Sequence, residues 1–464
     1  MSTKPFYRLS ISLASCFMIV LLAACGSQGA AGSTPTPASS TPTTTAIASG
    51  ATPTKAPATP VTTTVPEPPT LTSCPANGTA RAAVMAPLAL GNHANIIYIV
   101  NQFQGQASSA GTLKRYDVSS GAKTEIVTLS NTLIFDAQVS TDGQWVLFVA
   151  LANGQAKLQM IRMDGRGLQT LYCAAPATSG VNYSSAIANI QWTTDQKTIA
   201  FENYTNRGNI VYLLKPQSGN LVTEFLAPQG SVDYRPVTWL DNTRLYLRGL
   251  NADAPSFVFY LLDTSKGANQ TFSSLKLIYD ASSGCSCGDF DSSYDGQHVD
   301  IVSYTTDPSP SGPGIGSVHG PSTVSTRPST GGASTTLLTS PNMALTTIRV
   351  VSQNTVLLIV NNSGTGAGAD TSHNGLWKMR ADGTGLTRLT SVGGGVSAGP
   401  ASLNQYNQYP WSNVSRDGGM YALQQNGGNS NVSLLYGSLN GGNPTTFASI
   451  ADGTQLSIVG WTTM

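Results

Sequence analysis

The motif with the most direct catalytic reading is Gly284-Cys285-Ser286-Cys287-Gly288, which fits the Gly-x-Ser-x-Gly pattern of a hydrolase nucleophile. In that pattern the serine occupies a sharp turn between a strand and a helix, and an acid and a histidine follow along the chain. Here the motif precedes an apolar strand of a repeated β unit, and the repeats leave no separate hydrolase domain. The sequence therefore predicts no catalytic residue.

Residues that could bind a metal ion are spread along the chain. The acidic loop from Asp289 to Asp295 offers oxygen ligands for calcium, but it departs from EF-hand spacing and lacks the closing Glu, which favours a turn-forming role. Cys285 and Cys287 lack the Cys-x-x-Cys spacing of zinc sites. The four histidines fall in different units without metal-site spacing: His93, His298, His319 and His373. We predict neither a metal site nor a cofactor.

The N-terminus carries a different chemistry. Lys4 and Arg8 precede an apolar run from Ile11 to Leu22, followed by Ala23-Ala24-Cys25-Gly26. The end of this run resembles the lipobox of bacterial lipoproteins, in which a diacylglycerol is attached to the cysteine thiol and the preceding peptide is removed. The run of about 12 residues is too short to span a bilayer, which needs roughly 20. We predict a signal peptide over residues 1–24 and a lipid on Cys25 that anchors the chain to the outer face of the cell membrane, at the cell surface or in the periplasm.

The next segment, residues 25–72, is dominated by Ser, Thr, Pro, Ala and Gly, and Lys55 and Glu67 are its only charges. Such a composition cannot bury enough apolar surface to offset the entropy of ordering the chain. Its Thr-Pro steps favour extended backbone. We predict a disordered tether over residues 25–72 and a folded domain over residues 73–464.

The charge balance excludes one class of partner. The chain has 24 basic and 23 acidic side chains and a formal net charge of +1, and only 10% of its residues are charged. Binding to nucleic acid would require a basic surface. We therefore predict no nucleic-acid partner.

Four cysteines remain after Cys25, and an even number in an exported chain indicates disulfides. Three pairings are open, and we favour Cys74 with Cys173, which leaves Cys285 with Cys287. The second bond would close a very small ring, so it is either a loop staple, the reading we favour, or a labile, redox-active bond.

A two-part unit recurs along the folded domain. Its first part is a strand, an Asp-Gly turn and a second strand, as at Asp142-Gly143 and Asp417-Gly418 and more weakly at Asp295-Gly296. Its second part is a strand, another Gly-bearing turn and a closing strand, as at Asp164-Gly165 and Asp382-Gly383. Asp and Gly suit these turns because they tolerate left-handed backbone. We interpret these turn residues as structural.

Four short strands per unit at this spacing are typical of a β-propeller, and seven second parts can be counted. Helical periodicity is absent, which argues against an α/β fold. The first unit, near Ile96 to Val100, lacks its initial strand, and the segment from Leu456 to Trp461 is an initial strand without a blade. We predict an all-β, seven-bladed propeller closed by pairing of its N- and C-terminal strands. Six or eight blades stay open, because a Pro-, Ser- and Gly-rich insertion from Asp307 to Ser334 blurs one unit.

Aromatic residues fall into two groups. Trp192, Trp239, Trp411 and Trp461 are predicted to share one position on the initial strands, where they would pack between blades. The loop aromatics are freer candidates for a binding face, and they are Tyr183, Tyr406 and Tyr409.

The Ser-x-Asp-Gly turn and the Asp-Gly-x-Gly-Leu hairpin resemble the repeats of TolB-type β-propellers. The resemblance is specific in the units that hold Asp142 with Asp164 and Asp382 with Asp417, although this chain has Thr141 and Arg416 where the family usually has Pro. It implies an extracytoplasmic scaffold that binds proteins or peptides, and some serine peptidases carry related propellers. We predict a non-catalytic module that binds a protein or an envelope polymer. The alternative is a secreted carbohydrate-active or other hydrolytic propeller with a site on the central-channel face.

Overall fold

The computed structural model describes fourteen stretches of the chain, which are residues 68–81, 88–104, 107–176, 187–205, 208–227, 232–251, 257–281, 287–308, 315–363, 370–391, 398–402, 409–427, 432–450 and 454–464. The predicted signal peptide, Cys25 and the predicted tether up to residue 67 lie outside them.

The described residues form seven four-stranded antiparallel sheets. In the first, the last strand of the chain joins the first three, in the order β28 (Thr454–Thr463), β1 (Ala94–Gln104), β2 (Ala107–Asp117) and β3 (Lys123–Ser130). The second contains β4 (Thr132–Val139), β5 (Trp145–Ala152), β6 (Gln155–Arg162) and β7 (Gln169–Cys173). The third contains β8 (Ile187–Trp192), β9 (Ile199–Thr205), β10 (Gly208–Lys215) and β11 (Asn220–Leu226).

The other four sheets follow the same order. The fourth contains β12 (Val232–Trp239), β13 (Arg244–Asn251), β14 (Val258–Asp263) and β15 (Lys276–Asp280). The fifth contains β16 (Cys287–Ser292), β17 (His298–Pro308), β18 (Ile315–Pro328) and β19 (Thr335–Ser340). The sixth contains β20 (Leu345–Ser352), β21 (Thr355–Val360), β22 (Gly375–Met379) and β23 (Thr387–Thr390). The seventh contains β24 (Ala398–Ser402), β25 (Met420–Gly427), β26 (Val432–Ser438) and β27 (Thr445–Ile450).

Helical structure in the described residues is short. One turn of α-helix, α1, spans Pro410–Asn413, and 3₁₀ turns span Thr264–Lys266, Phe272–Ser274 and Thr371–His373.

The seven sheets are the blades of a propeller. Neighbouring sheets contact each other through their first-listed strands in the pairs β28 with β4, β4 with β8, β8 with β12 and β16 with β20. These inner strands therefore surround a central channel, and the sheets radiate from it. The predicted seven-bladed, all-β propeller is confirmed, and we number the blades in the order given above.

The ring closes within blade 1. Strand β28 pairs antiparallel with β1 from Ala94 opposite Thr463 to Gln102 opposite Thr454. The predicted pairing of the terminal strands is therefore confirmed, and it leaves no unpaired sheet edge between the first and last blades.

The strand directions give the ring two faces. The inner strands finish and the outermost strands begin at one end, which we call the turn face. The inner strands begin and the outermost strands finish at the other end, which we call the loop face. On the turn face, Asp142 Oδ1 accepts hydrogen bonds from Ser140 Oγ at 2.6 Å and Gln144 N at 3.1 Å, and Gly143 has φ of 73°. The positive φ favours glycine at this point.

Large apolar side chains fill the space between blades. Phe259 of blade 4 and Phe290 of blade 5 are fully buried, and their stacked rings have centroids 4.0 Å apart. Trp461 on β28 is also fully buried. Each such side chain contributes about 1.5–3 kcal/mol by leaving water, so the blades hold one another by apolar contact.

Two local features differ from the predictions. The segment predicted as an insertion from Asp307 to Ser334 contains the end of β17 and all of β18, so it belongs to the sheet of blade 5. Trp411 lies on α1 and not on an inner strand, unlike Trp192, Trp239 and Trp461. Pro410 has no amide hydrogen for a sheet ladder but suits the first turn of a helix, which explains the change.

Candidate functional site

Residues 409–413, which we call the channel plug, cover the channel at the turn face. Helix α1 contacts the inner strands of blades 1, 2 and 6. The Tyr409 hydroxyl donates a hydrogen bond to the Trp192 carbonyl in blade 3. Trp411 Nε1 donates to the Val139 carbonyl in blade 2 at 2.9 Å. The plug, which lies in the connection between β24 and β25 of blade 7, therefore touches four of the other six blades.

Tyr409 is not a free binding residue. Its side chain is 7% exposed, and its ring stacks on that of Trp411 with centroids 4.5 Å apart. Burial holds the pKa of the Tyr409 phenol above its usual range. The prediction that Tyr409 is a candidate for a binding face is wrong, because its phenol is buried and its hydroxyl is hydrogen-bonded to Trp192. Tyr183 and Tyr406 lie outside the described residues.

Arg416 connects the plug to β28, the strand that closes the ring. Its guanidinium donates to the carbonyls of Trp461 at 3.0 Å, Thr141 at 2.6 Å and Ser140 at 2.9 Å. It also lies 4.7 Å from the centre of the Trp411 ring, which is a cation–π contact. One side chain thus joins the turn of blade 7 to β28 and to the turn of blade 2.

Residues 68–81, which we call the strap, bind the outer parts of blades 2 and 3. Leu71 forms a parallel bridge with Gln169 of β7, and the sulfur atoms of Cys74 and Cys173 are bonded with a Cα–Cα distance of 5.7 Å. Gly78 N donates to the carbonyl of Gly219 in blade 3 at 2.8 Å. The strap therefore begins within the segment predicted as a tether and fixes the point where the chain reaches the propeller. Cys285 lies outside the described residues, so its pairing with Cys287 stays a prediction.

Polar side chains on the inner strand of blade 2 accept hydrogen bonds from the inner strand of blade 3. In blade 2, Asp136 Oδ2 accepts from Ile190 N of blade 3 at 2.9 Å, and Gln138 Oε1 accepts from Trp192 N at 2.7 Å. Desolvation raises the pKa of Asp136 to about 7. The Asp136 carboxyl group thus joins two inner strands by accepting a hydrogen bond from the backbone of the next blade. We call an inner-strand acid with such a contact an acid bracket.

Blades 5 and 6 repeat this arrangement. Asp289 Oδ2 accepts from Ile348 N at 3.2 Å and from the guanidinium of Arg349 at 2.5 Å, and Asp291 Oδ2 accepts from Val350 N at 2.8 Å. Desolvation raises the pKa of Asp291 to about 8. Asp289 and Asp291 therefore lie on β16 and bind to blade 6, and Asp295 is the only one of the three acids of the predicted loop that lies in the turn.

A less buried ion pair lies on the inner strand of blade 4. Asp233 Oδ2 and an Arg235 guanidinium nitrogen are 3.6 Å apart, and the two side chains are 39% and 38% exposed. Both residues lie near the start of β12, which is its loop-face end. Among the charged side chains on the described inner strands, those of this pair are the most exposed.

The histidines do not form a hydrolytic arrangement in the described residues. His319 Nε2 lies 3.1 Å from Asp307 Oδ2, and the Ser317 hydroxyl donates to the same oxygen at 2.5 Å. The serine therefore bonds the acid and not the imidazole, whereas a catalytic serine must reach the base. No cluster of three potential metal-binding His, Cys, Asp or Glu side chains occurs in the described part of the chain.

A membrane-spanning helix is likewise not found where the structure describes the chain, since none of its helices has the necessary length and hydropathy.

Sequence reasoning missed the strap, the plug and the acid brackets. Pro410 was a usable signal for the plug, because proline is excluded from central strands. The brackets had no such signal, because an acid on an inner strand looks like any exposed polar residue until the neighbouring blade is in place.

No family model and no curated protein matches this chain. Among solved structures, TolB from Acinetobacter baumannii is 12% identical over 65% of this chain and 64% of its own, with a TM-score of 0.38. A putative TolB from Agrobacterium tumefaciens is 13% identical over 79% of this chain and 99% of its own, with a TM-score of 0.36. A structure from a study of two prolyl endopeptidases is 11% identical over 80% of this chain, with a TM-score of 0.49, and this chain spans 50% of its length. TolB propellers, which the blade turns resemble, are thus among the solved structures similar to this chain.

Proposed function

We propose that this protein is a lipid-anchored, extracytoplasmic β-propeller that binds a protein or an envelope polymer through the loop face of its ring and catalyses no reaction. Cys25 carries the lipid in this proposal, and the segment between Cys25 and the strap holds the propeller away from the membrane.

This proposal rests on the difference between the turn face and the loop face. The plug covers the channel at the turn face, and the strap meets blade 2 at the turn-face end of β7, where Leu71 bridges Gln169. A ligand would therefore reach the channel from the loop face, where the Asp233–Arg235 pair is partly exposed. An accessible ion pair at a channel mouth supplies both a donor and an acceptor group for a polar partner.

The polar chemistry of the inner strands supports a binding role. Asp136, Asp289 and Asp291 accept hydrogen bonds from the backbone of the next blade. A carboxyl group used in this way is committed to holding the ring together. The Ser317–Asp307–His319 contacts likewise lack the serine-to-histidine bond that hydrolysis needs.

The binding proposal is tested by capturing partners with the propeller, residues 66–464, from envelope extract of its own host. The matched variant is Arg235→Gln, which removes the channel charge, and the control is Glu125→Gln on the outer strand of blade 1. We expect one protein or polymer that the wild type and the control capture equally and that Arg235→Gln captures at least about fivefold less, the scale of losing one charged contact. Capture that is independent of Arg235, or turnover of a glycan or peptide, would contradict this proposal and favour the hydrolytic alternative.

Anchoring is tested separately by growing the host with a radiolabelled fatty acid. The full chain should incorporate the label and remain with the membrane fraction, whereas Cys25→Ala should do neither. Labelling of the Cys25→Ala chain would exclude Cys25 as the lipidation site.

A further inference from the structure

A second candidate site lies on the turn face, between blades 3 and 4. A cavity of about 340 Å³ opens there, within the size range of small-ligand sites. Blade 3 contributes the ends of β10 and β11, and blade 4 contributes its first turn and the connection between β14 and β15.

The cavity exists because one connection of blade 4 is longer than its counterparts. The residues from Thr264 to Leu275 contain two 3₁₀ turns where the other blades have a short hairpin. This connection leaves blade 4 and pairs with the outer edge of β11. Asn269 N donates to the Thr223 carbonyl and Gln270 N to the Glu224 carbonyl, both at 2.8 Å. The pairing encloses the cavity on its outer side.

Glu224 is the acid of this cavity. Its side chain is 2% exposed, and its Oε1 accepts a hydrogen bond from Gln270 Nε2 at 2.7 Å. In the described residues no donor contacts its other carboxyl oxygen. Desolvation, with a smaller contribution from the charge of Asp263, raises the pKa of Glu224 to about 7. A cation placed beside this oxygen would favour the ionised form.

Three hydroxyl groups on the blade 4 side of the cavity act as acceptors. Thr243 Oγ1 donates to Asp241, Thr264 Oγ1 to the Thr243 carbonyl, and Ser265 Oγ to Asp263. Since these three hydroxyl hydrogens are already used, the three oxygens can only accept from a ligand. Together with the Glu224 carboxyl group, they suit a ligand group that donates several hydrogen bonds and carries positive charge.

Lys215 is the positively charged residue of the lining, and it lies opposite the start of β11. Lys215 is exposed, and it is not within salt-bridge distance of Glu224. Lys266, in the first 3₁₀ turn, and Arg244, which pairs with Asp241 at 2.7 Å, are further cations nearby and lie outside the lining. The cavity thus offers a carboxylate and an ammonium that do not neutralise each other by direct contact.

We propose that this cavity binds a small zwitterion, an amino acid or a short free peptide, with its ammonium group at Glu224 and its carboxylate toward Lys215. The ligand replaces water at both charges, and the apolar atoms of Leu213 and Val222 cover its middle. This site is independent of the loop-face binding proposed above.

Three probes separate the parts of this proposal. They are alanyl-alanine, its N-acetyl derivative, which lacks the ammonium group, and its C-terminal amide, which lacks the carboxylate. Binding to residues 66–464 is measured by ligand-observed NMR and by calorimetry. Alanyl-alanine should bind to the wild type at millimolar concentration, and the N-acetyl derivative should bind about tenfold more weakly or worse, since it leaves a buried acid without a cation.

The variants assign each charge. Glu224→Gln should lose the preference for alanyl-alanine over its N-acetyl derivative, and Lys215→Gln should lose the preference over the amide. At pH 6, where Glu224 is largely protonated, binding to the wild type should release up to one proton, seen as a heat that depends on the buffer, and Glu224→Gln should abolish that release. Glu125→Gln is the matched control.

Two results would overturn the proposal. One is the failure of alanyl-alanine to bind to the wild type at millimolar concentration, and the other is equal binding of its N-acetyl derivative. Both comparisons use the wild-type chain, so they decide the matter even if Glu224→Gln does not fold.

Discussion

Arg416→Ala tests whether one side chain locks the ring. The three hydrogen bonds from the Arg416 guanidinium are charge-assisted and together contribute about 4–5 kcal/mol at the low end of their range. Burial of the guanidinium, which lowers the pKa of Arg416 to about 10, offsets part of that gain. Truncation also leaves three carbonyl groups without their donor. We expect Arg416→Ala to lower the free energy of unfolding by about 3 kcal/mol.

The assay is urea unfolding followed by tryptophan fluorescence, with thermal unfolding beside it. For a domain of this size, about 3 kcal/mol corresponds to a decrease of roughly 3–4 °C in Tm. Tyr294→Ala is the matched control, because Tyr294 occupies the same turn position in blade 5 and is 61% exposed. It should change the free energy of unfolding by less than about 0.5 kcal/mol.

Arg416→Lys refines the test, because lysine keeps the charge but cannot reach three carbonyls with one planar group. Its stability should fall between those of the wild type and Arg416→Ala. If Arg416→Ala unfolds within about 0.5 kcal/mol of the Tyr294→Ala control, the ring is not locked by this contact and the reasoning is wrong.

Three further perturbations probe the brackets, the disulfide and the strap. Because burial raises the pKa of Asp136 from 3.8 to about 7, the folded state holds this proton more tightly than the unfolded state, and the free energy of unfolding should fall as the pH rises from about 4 to 7. Asp136→Asn should reduce that fall by up to about 4 kcal/mol in urea titrations at stepped pH, and an unchanged pH dependence would contradict the burial argument. Replacing Cys74 and Cys173 with Ser opens a loop whose ends are 99 residues apart and should cost about 2–5 kcal/mol, and equal stability of the wild type with and without reductant would refute a structural role. Gly219→Ala places a Cβ 2.0 Å from the Thr79 carbonyl oxygen, so it should displace the strap and speed proteolysis there, and an unaltered cleavage rate would show that the strap adapts.

The blade architecture could be predicted because each blade repeats one local rule. Turns such as Asp142-Gly143 follow from the backbone freedom of the residues themselves, and apolar strands of similar length follow each turn. The pairing of β28 with β1 followed from counting incomplete units at the two ends. These features depend on residues close together in sequence or on a simple tally.

The features missed by sequence reasoning depend on contacts between blades. Arg416 was noted only as a departure from proline, and its role appears once Ser140 and Trp461 are brought beside it. Tyr409 resembled a loop aromatic until its hydroxyl was found at Trp192. Glu224 attracted no notice, because its cavity requires the connection from Thr264 to Leu275 to leave its own blade. Each case joins residues that are far apart in sequence, and a pattern along one segment cannot encode such proximity.

The pairing of Ala94 with Thr463 also constrains how the protein can be made. Strand β1 leaves the ribosome early, but its inner neighbour β28 follows only after the strands of the other six blades. Blade 1 therefore cannot be completed until almost the whole domain has been synthesised. Until then β1 presents an open edge that can pair with other chains. We therefore expect the nascent domain to depend on holding factors until β28 has been synthesised, and a permuted chain that begins with β28 to fold faster and aggregate less.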